Sequence, residues 1–483
     1  MEKSSTTSVI SNLLWRMMER FGAQGITFVV SIVLARLLDP DTYGVLALVT
    51  VFTTLMEVFM DSGLANALIQ KKDADDTDFS TVFYMNILFS AGLYLLLFLA
   101  APLIASFYEM PELTAVIRVL ALMLLISGVK NVQQAYVSRN MLFKKFFFST
   151  LGGTIGAAVV GISMAYLGYG IWALVAQMLF NNFVDTVILW ITVPWRPKRL
   201  FSWKRFRTLF SFGWKLLASS LIASLYTNLR QLIIGKMYTT ESLAFYNQGD
   251  KLPNLLVNNI NSAIDSVLLP VLSMEQEDVS RVRELTRRAI QMSSYVMWPV
   301  MMGFAACAEP LVRLVLTEKW MPCVPYLRIF CITYAFYPIH TANLNAIKAL
   351  GRSDIFLKLE IAKKCVGFAV LAATMWFGPY VMAWSCLATS LINQMVNSWP
   401  NRKLLQYSYL QQLKDIFPSV LLSVAMGAAV LLVRRLQLPD LPTVLIQVPL
   451  GVVIYVAGSW IFHLEAFAYA LAMLKDFLRK DKK

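Results

Sequence analysis

Charge is what this sequence has least of. Only 15% of its 483 residues are charged, while 58% are hydrophobic and the mean hydropathy is +0.60. Soluble domains carry about 25% charged residues, so a soluble globular class is excluded. Histidine is nearly absent: His340 and His463 are too few and too far apart for a zinc site. Five cysteines, Cys307, Cys323, Cys331, Cys365 and Cys386, show no CxxC spacing and imply neither a metal nor a disulfide framework. They read as small apolar packing residues. No nucleotide-binding glycine loop is present, so ATP-driven transport needs another subunit. The start, "MEKSSTTSVISNLLWRMMERFG", lacks a short apolar stretch followed by a small-residue cleavage site, and reads as a retained first span.

What the chain has in abundance is apolar runs long enough to cross a bilayer as helices. About 14 spans are expected from length and hydropathy. They lie near 13–38, 45–70, 79–107, 113–137, 144–166, 169–194, 208–237, 252–273, 286–316, 325–349, 354–377, 379–400, 416–436 and 442–463. Connections on one side are poorly basic: "DPDTYG", "YEMPEL", "LGYG", "TEKWMP" and "FGPYV". Those on the other side are rich in Lys and Arg: "SRNMLFKK", "PWRPKRLFSWKRFR", "DVSRVRELTRR" and "PNRKLL". The positive-inside rule then places both termini in the cytoplasm, with Arg434 and Arg435 on the opposite side from the rule. The net charge of +14 is carried by cytoplasmic loops facing anionic lipid, and no nucleic acid partner is implied. In the tail, Phe467, Leu471, Leu474 and Leu478 recur at helical spacing, as in an amphipathic helix lying on the inner surface.

The sequence repeats itself. "WRMMERFGAQGITFVVSIVLARLLDPDTYG" from Trp15 aligns with "WKLLASSLIASLYTNLRQLIIGKMYTTESLA" from Trp214. "DSGLANALIQKKDADDTDFS" from Asp61 matches "NSAIDSVLLPVLSMEQEDVS" from Asn261 without a gap, and Pro102 and Pro310 fall in register. "LFNNFVD" from Leu179 pairs with "LINQMVN" from Leu391, so Asn181, Asn182 and Asp185 match Asn393, Gln394 and Asn397. Six spans per copy is an even number, so the halves share one orientation. The fold class that follows is an all-α polytopic membrane protein. Two pseudo-symmetric six-helix bundles surround a central cavity, and two further helices follow. The expected divisions are 1–200, 201–405 and 406–483. The matched amides and acids are expected along the seam between the bundles. The alternative is a hydrogen-bonded cluster inside one bundle.

Polar residues also run in stripes. Thr50, Thr54, Glu57 and Asp61 share one helical face, and so do Asn254, Asn258, Asn261 and Asp265. Ser220, Ser224, Thr227 and Gln231 form a third stripe, with Arg230 beside them. Glu57 lies roughly 20 Å along its helix from Tyr43, near the bilayer midplane. A carboxylate there either exchanges a proton or cation during a cycle, or sits permanently paired with Arg16, Arg20 or Arg230. Asp61, Asp185 and Asp265 are the further ion-coupling candidates. Arg16 and Arg20 are one turn apart and close enough to the interface to snorkel. Arg230 is deeper and is the first candidate for an anion contact.

Three stretches give the sequence a resemblance: "ARLLDPDTYGVLAL", its second copy "IIGKMYTTESLAFYNQGDKLP", and "INSAIDSVLLPVLS". With the repeat and two extra C-terminal spans, the chain resembles the polysaccharide-transport (Wzx-type oligosaccharide flippase) family of the multidrug/oligosaccharidyl-lipid/polysaccharide (MOP) exporter superfamily. The resemblance implies a non-enzymatic flippase of the bacterial inner membrane. Its substrate would be an undecaprenyl-pyrophosphate-linked oligosaccharide, moved by alternating access. It implies a cationic cavity for the headgroup, carried here by Arg16, Arg20, Lys215, Arg230 and Lys348. Asn181, Asn182, Asn393, Gln394 and Asn397 are the amides suited to sugar hydroxyls. No cofactor is implied beyond a proton or sodium ion for coupling. The expected partners are the membrane, the lipid-linked substrate and polysaccharide assembly proteins, with the chain working as a monomer. Rival readings are a cation-coupled multidrug exporter of the same superfamily, a peptidoglycan-precursor flippase, and a membrane polysaccharide polymerase or ligase. The longest outward loop, around "TTESLAFYNQGDK", is small for a catalytic domain.

Overall fold

The computed structural model describes residues 6–480 except 62, 63 and 72; the side chains of residues 6–14, 16, 20, 60, 61, 212 and 473–480 lie outside that description. Arg16, Arg20 and Asp61 therefore fall outside the described side chains. The described residues are almost wholly helical, and the chain is a multi-pass membrane protein, as expected. It divides into two compact units, Met1–Ala244 and Phe245–Lys483.

The first unit holds α1 (Thr6–Leu37), α2 (Pro40–Asp61), α3 (Leu64–Gln70), α4 (Asp76–Tyr108), α5 (Leu113–Leu120), α6 (Leu122–Arg139), α7 (Phe143–Tyr166), α8 (Ile171–Thr192) and α9 (Trp203–Met237). Proline opens α2, where its missing N–H costs nothing. Asp75 and Asp78 form a reciprocal capping box at the start of α4, and Lys71 reaches the buried Asp78 at 2.7 Å. A turn at Ala121 divides the expected fourth span into α5 and α6. The core of this unit packs Leu68, Val82, Phe83, Val132 and Leu189 against Trp195.

α10 (Thr240–Met274) leads into the second unit. There follow α11 (Val279–Ala306), α12 (Ala308–Val315), a 3-10 turn (Glu318–Cys323), α13 (Val324–Ala335) and α14 (Tyr337–Ala349). α15 (Ser353–Thr374), α16 (Pro379–Leu404), α17 (Tyr409–Leu432), α18 (Asp440–Ile461) and α19 (Glu465–Lys480) complete the chain. Leu272, Val282, Ile290, Ile339, Ala346 and Tyr407 form one core of this unit.

The repeat seen in sequence recurs in the helices. The first span of each copy, α1 or α9, is joined to the next helix by two residues, Leu38–Asp39 or Tyr238–Thr239. The fourth span of each copy is broken, at Ala121 or at Phe336. A glycine with positive φ precedes the sixth in both: Gly170 at 52° and Gly378 at 103°.

Two expectations change. Among the described residues nine stretches are long and apolar enough to cross a bilayer, or eleven if two sharply bent pairs each count as one span. The expected spans that fall short are α13–α14, α15 and α16. α13 and α14 are short pieces, α15 carries Lys358, Glu360, Lys363 and Lys364, and α16 carries a row of amides. Second, "TTESLAFYNQGDK" is no loop: α10 begins at Thr240, so that polar stretch is its first turns.

Candidate functional site

The stretch "FNNFVD" lies on α8, facing α6 and α7. Lys130 on α6 donates a hydrogen bond to Asn182 Oδ1, and its Nζ lies 3.4 Å from Asp185 Oδ2. The side chains of Lys130 and Asp185 are only 13% and 15% exposed. Burying either charge alone costs several kcal/mol, so the pair is what permits both. Asn181 lies against Gly153 of α7; a Cβ at residue 153 would fall 2.7 Å from Asn181 Oδ1 and 2.9 Å from its carbonyl oxygen. The crossing of α7 and α8 therefore depends on that glycine.

The matched row on α16 makes the equivalent contact. Asn397, the repeat partner of Asp185, lies 3.1 Å from His340 Nδ1 on α14, and His340 Nε2 lies 3.2 Å from Ser390. In each copy the sixth span thus meets a nitrogen-bearing side chain of the fourth: an ion pair in the first, an amide and an imidazole in the second. Gln394 accepts from Tyr409 Oη at 3.2 Å, and Asn393 is half-buried. Deeper still, Gln412 of α17 joins Asn343, Ser398 and Asn401 in a fully buried amide network. Most of these polar groups answer one another, as hydrocarbon requires; Asn401 Oδ1 is buried with no partner among the described residues.

The stripe on α10 is longer than its sequence showed. Asp250 precedes Asn254 by one turn; Tyr334 of α13 donates to Asp250 and accepts from Asn254 Nδ2 at 3.0 Å. Asn258 in turn donates to Asn254 Oδ1. Near the far end Asp265 accepts from the buried Asn345 of α14 at 2.6 Å. Lys348 is exposed and lies 4.9 Å over the ring of Phe356. In the first unit Glu57 and Arg230 are half-buried, whereas Lys215 is exposed. Glu19, at 9% exposure, faces α7, where Thr150 donates to it at 3.4 Å. Trp15 packs edge-on against Phe147 of α7 at 5.2 Å, while Trp214 and Trp399 stand exposed.

Beyond the end of α4, Glu109 meets Lys236 of α9 at 2.9 Å. That hydrogen bond and charge hold the Glu109 carboxyl below the usual carboxylate range. Arg434, on the wrong side by charge rule, is accounted for: it pairs with Glu309 at the foot of α12, which Arg328 also holds at 2.8 Å. Beside them Arg313 meets Asp440 at 3.1 Å. Nothing in the structure explains Arg435. Among the described residues no three metal-ligating side chains converge.

Sequence reasoning missed Lys130, Asp250, Tyr334 and His340. Asp250 was legible as one more turn of the 254–258–261–265 register. Lys130, the sole lysine within "LMLLISGVKNVQQAYV", was a signal of the same kind.

Comparison with known proteins places this arrangement. The chain is 25% identical to the teichuronic acid biosynthesis protein TuaB of Bacillus subtilis (strain 168), over 78% of each chain. It is 23% identical to the lipopolysaccharide biosynthesis protein WzxC of Escherichia coli (strain K12), over 86% of this chain and 87% of that one. Its fold is that of the lipid II flippase MurJ in an inward closed conformation, with a TM-score of 0.75 at 14% identity, covering 93% of this chain and 99% of the other. An inward-facing multidrug resistance MATE family transporter of the MOP superfamily matches at a TM-score of 0.60 and 16% identity, over 82% of this chain and 98% of that one. The expected resemblance to Wzx-type members of that superfamily holds. Residues 33–325, more than half of the sequence, match the family described as polysaccharide biosynthesis protein, and the chain belongs to that family.

Proposed function

We propose that this chain is a flippase that moves an undecaprenyl-pyrophosphate-linked oligosaccharide from the inner to the outer leaflet of the bacterial cytoplasmic membrane, for surface polysaccharide assembly. The observation that carries this reading is a conjunction: the polysaccharide biosynthesis family match, on a fold shared with a lipid II flippase over 93% of the chain. The physics agrees. A pyrophosphate-sugar headgroup cannot cross hydrocarbon unaided, whereas a polyprenyl tail is at home there. Helices that carry amides, hydroxyls and a few charges give the headgroup partners while the tail stays in lipid.

In this reading Arg230, with Arg16, Arg20, Lys215 and Lys348, meets the phosphates; a guanidinium binds two oxygens at once. Asn181, Asn182, Asn393, Gln394 and Asn397 serve the sugar, Gln394 and Asn397 only in a conformation that uncovers them, since they are 0% and 1% exposed here. Glu57, Asp61, Asp185 and Asp265 are the acids proposed for proton or sodium coupling, Asp185 on release from Lys130. The lobes run over 1–200 and 201–405, with 406–483 as an addition; transport proceeds by alternating access. Both termini face the cytoplasm, and the chain acts as a monomer alongside polysaccharide assembly proteins. Deleting the protein and identifying the lipid-linked glycan that accumulates on the cytoplasmic leaflet tests the function; an unchanged leaflet distribution and intact surface glycan overturn it. Arg230→Ala is expected to abolish export with the protein still in the membrane, and normal export would remove Arg230 from the site. Glu57→Gln is expected to blunt the response to an ion gradient in vesicles, and an unchanged response ends its coupling role.

A further inference from the structure

A cavity of about 610 Å³ lies among α11, α17 and the corner where α18 turns into α19. That volume is within the range of small-ligand sites. Its lining is divided. Leu421 and Ala425 of α17 contribute to an apolar wall, while Arg287, Lys414, Asp415 and Glu465 bring charge to its rim. The corner is tight: His463 sits at φ 48°, and the Leu464 N–H donates to Ser459 O at 3.1 Å. α19 is pinned over α11, with Arg288 lying 5.5 Å from the Tyr469 ring centroid and Gln291 Nε2 3.5 Å from Glu465.

The charges on the rim are not equivalent. Arg287 binds Asp415 through two hydrogen bonds, both 2.8 Å, and Tyr407 Oη donates to the same carboxylate at 2.7 Å. That pair is internally neutral, and it fixes Arg287 with Nη1 still free to donate. Lys414 and Glu465 form no ion pair among the described residues. The site therefore offers one cation, Lys414, without an ion pair among the described residues, one carboxylate, Glu465, whose only hydrogen bond there is a long one from Gln291, and an apolar wall. α19 is amphipathic in sequence, with Phe467 and Leu471 on one stripe, which sets this corner at the level of lipid headgroups.

We infer that this cavity is a binding site for a phospholipid whose headgroup carries both a phosphate and a primary ammonium. Lys414, with the free edge of Arg287, takes the phosphate. Glu465 accepts from the ammonium, and an acyl chain lies along Leu421 and Ala425. With both termini cytoplasmic the lipid comes from the inner leaflet. It is distinct from the translocated substrate, because Lys414, Glu465 and the apolar wall come from α17–α19, outside the two repeated copies; only Arg287 and Gln291 of α11 belong to the second copy.

Native mass spectrometry of the full-length protein in detergent, titrated with phosphatidylethanolamine, phosphatidylcholine or phosphatidylglycerol, tests this. Phosphatidylethanolamine is expected to be retained most strongly. Phosphatidylcholine keeps the phosphate but cannot donate a hydrogen bond to Glu465. Lys414→Ala is expected to weaken phosphatidylethanolamine binding roughly tenfold, the worth of one charge-assisted hydrogen bond. Glu465→Gln is expected to abolish the preference over phosphatidylcholine. Ala425→Trp, which fills the cavity, is expected to reduce retention of all three. Equal or tighter retention of phosphatidylglycerol by the wild type overturns the dipolar headgroup. Binding indifferent to Lys414→Ala and Glu465→Gln, both exposed and harmless to packing, overturns the site itself.

Discussion

Lys130 Nζ on α6 stands 3.4 Å from Asp185 Oδ2 on α8, and in the other copy Asn397, the repeat partner of Asp185, lies 3.1 Å from His340 of α14. The contact between sixth and fourth spans is thus an ion pair in one copy and an amide–imidazole contact in the other. The ion pair creates a dependence of each buried charge on the other. Lys130→Met leaves Asp185 buried without its counter-ion, and is expected to cost about 3–5 kcal/mol. Replacing both, Lys130→Met with Asp185→Asn, is expected to recover most of that. Thermal unfolding in detergent measures it, and a double variant as unstable as the single one would refute the pairing.

The crossing of α7 over α8 rests on Gly153. Gly153→Ala puts a Cβ 2.9 Å from the Asn181 carbonyl oxygen, a backbone atom that cannot swing aside. The expected loss is about 1–3 kcal/mol. Gly25→Ala on α1, where an added Cβ meets nothing within 4 Å, is the control, and is expected to be neutral or stabilising by up to about 1 kcal/mol. Equal denaturation midpoints for the two variants would show that the crossing is loose.

Glu109 and Lys236 give a pH signature. Lys236 lowers the Glu109 carboxyl from its model-compound value of 4.5, so the folded state binds this proton less readily than the unfolded chain. The stabilisation is present in full above pH 4.5 and fades as pH falls through the lowered folded value. Lys236→Met is expected to move the Glu109 titration, followed by carboxyl NMR, back up to the ordinary range. It also removes this part of the acid loss of stability. A titration unmoved by the substitution would show that the contact is too mobile to matter.

At Glu309 two arginines share one carboxylate, so the two sides of the cluster are unequal. Arg434→Leu leaves Glu309 held by Arg328 and is expected to cost less than about 1 kcal/mol, as a partly exposed pair should. Glu309→Gln removes the charge that both guanidinium groups share, leaving Arg328 only its bond to the Ala305 carbonyl, and is expected to cost about 1–3 kcal/mol. Chemical denaturation of the two variants compares them, and the reverse order would overturn the shared-acceptor reading.

The rods of this fold were legible because apolar runs of membrane length have few other uses, and the repeat was legible because motifs occurred in the same order twice. Polar residues at helix starts misled. Thr240, Glu241 and Ser242 look like loop, yet they begin α10, just as Pro40 and Asp41 begin α2. Lys130 was hidden for a different reason: a single sequence shows which face a residue occupies but not which helix lies opposite. The same limit concealed that Asp250 meets Tyr334 and that Gln412 completes a network with Asn343 and Asn401. Arg434 looked misplaced until its acceptor, Glu309, was seen across a 65° bend between α11 and α12.

Leu38 and Asp39 are all that separates α1 from α2. At about 3.8 Å per Cα step, a link of that kind keeps the two helix ends within roughly 11 Å however the chain flexes. A slide of one rod past its neighbour beyond that reach is barred unless a turn beside the corner unwinds. Any change in the angle between the two rods is therefore a pivot at Leu38 and Asp39, which makes this corner the hinge point of whatever movement α1 makes relative to α2.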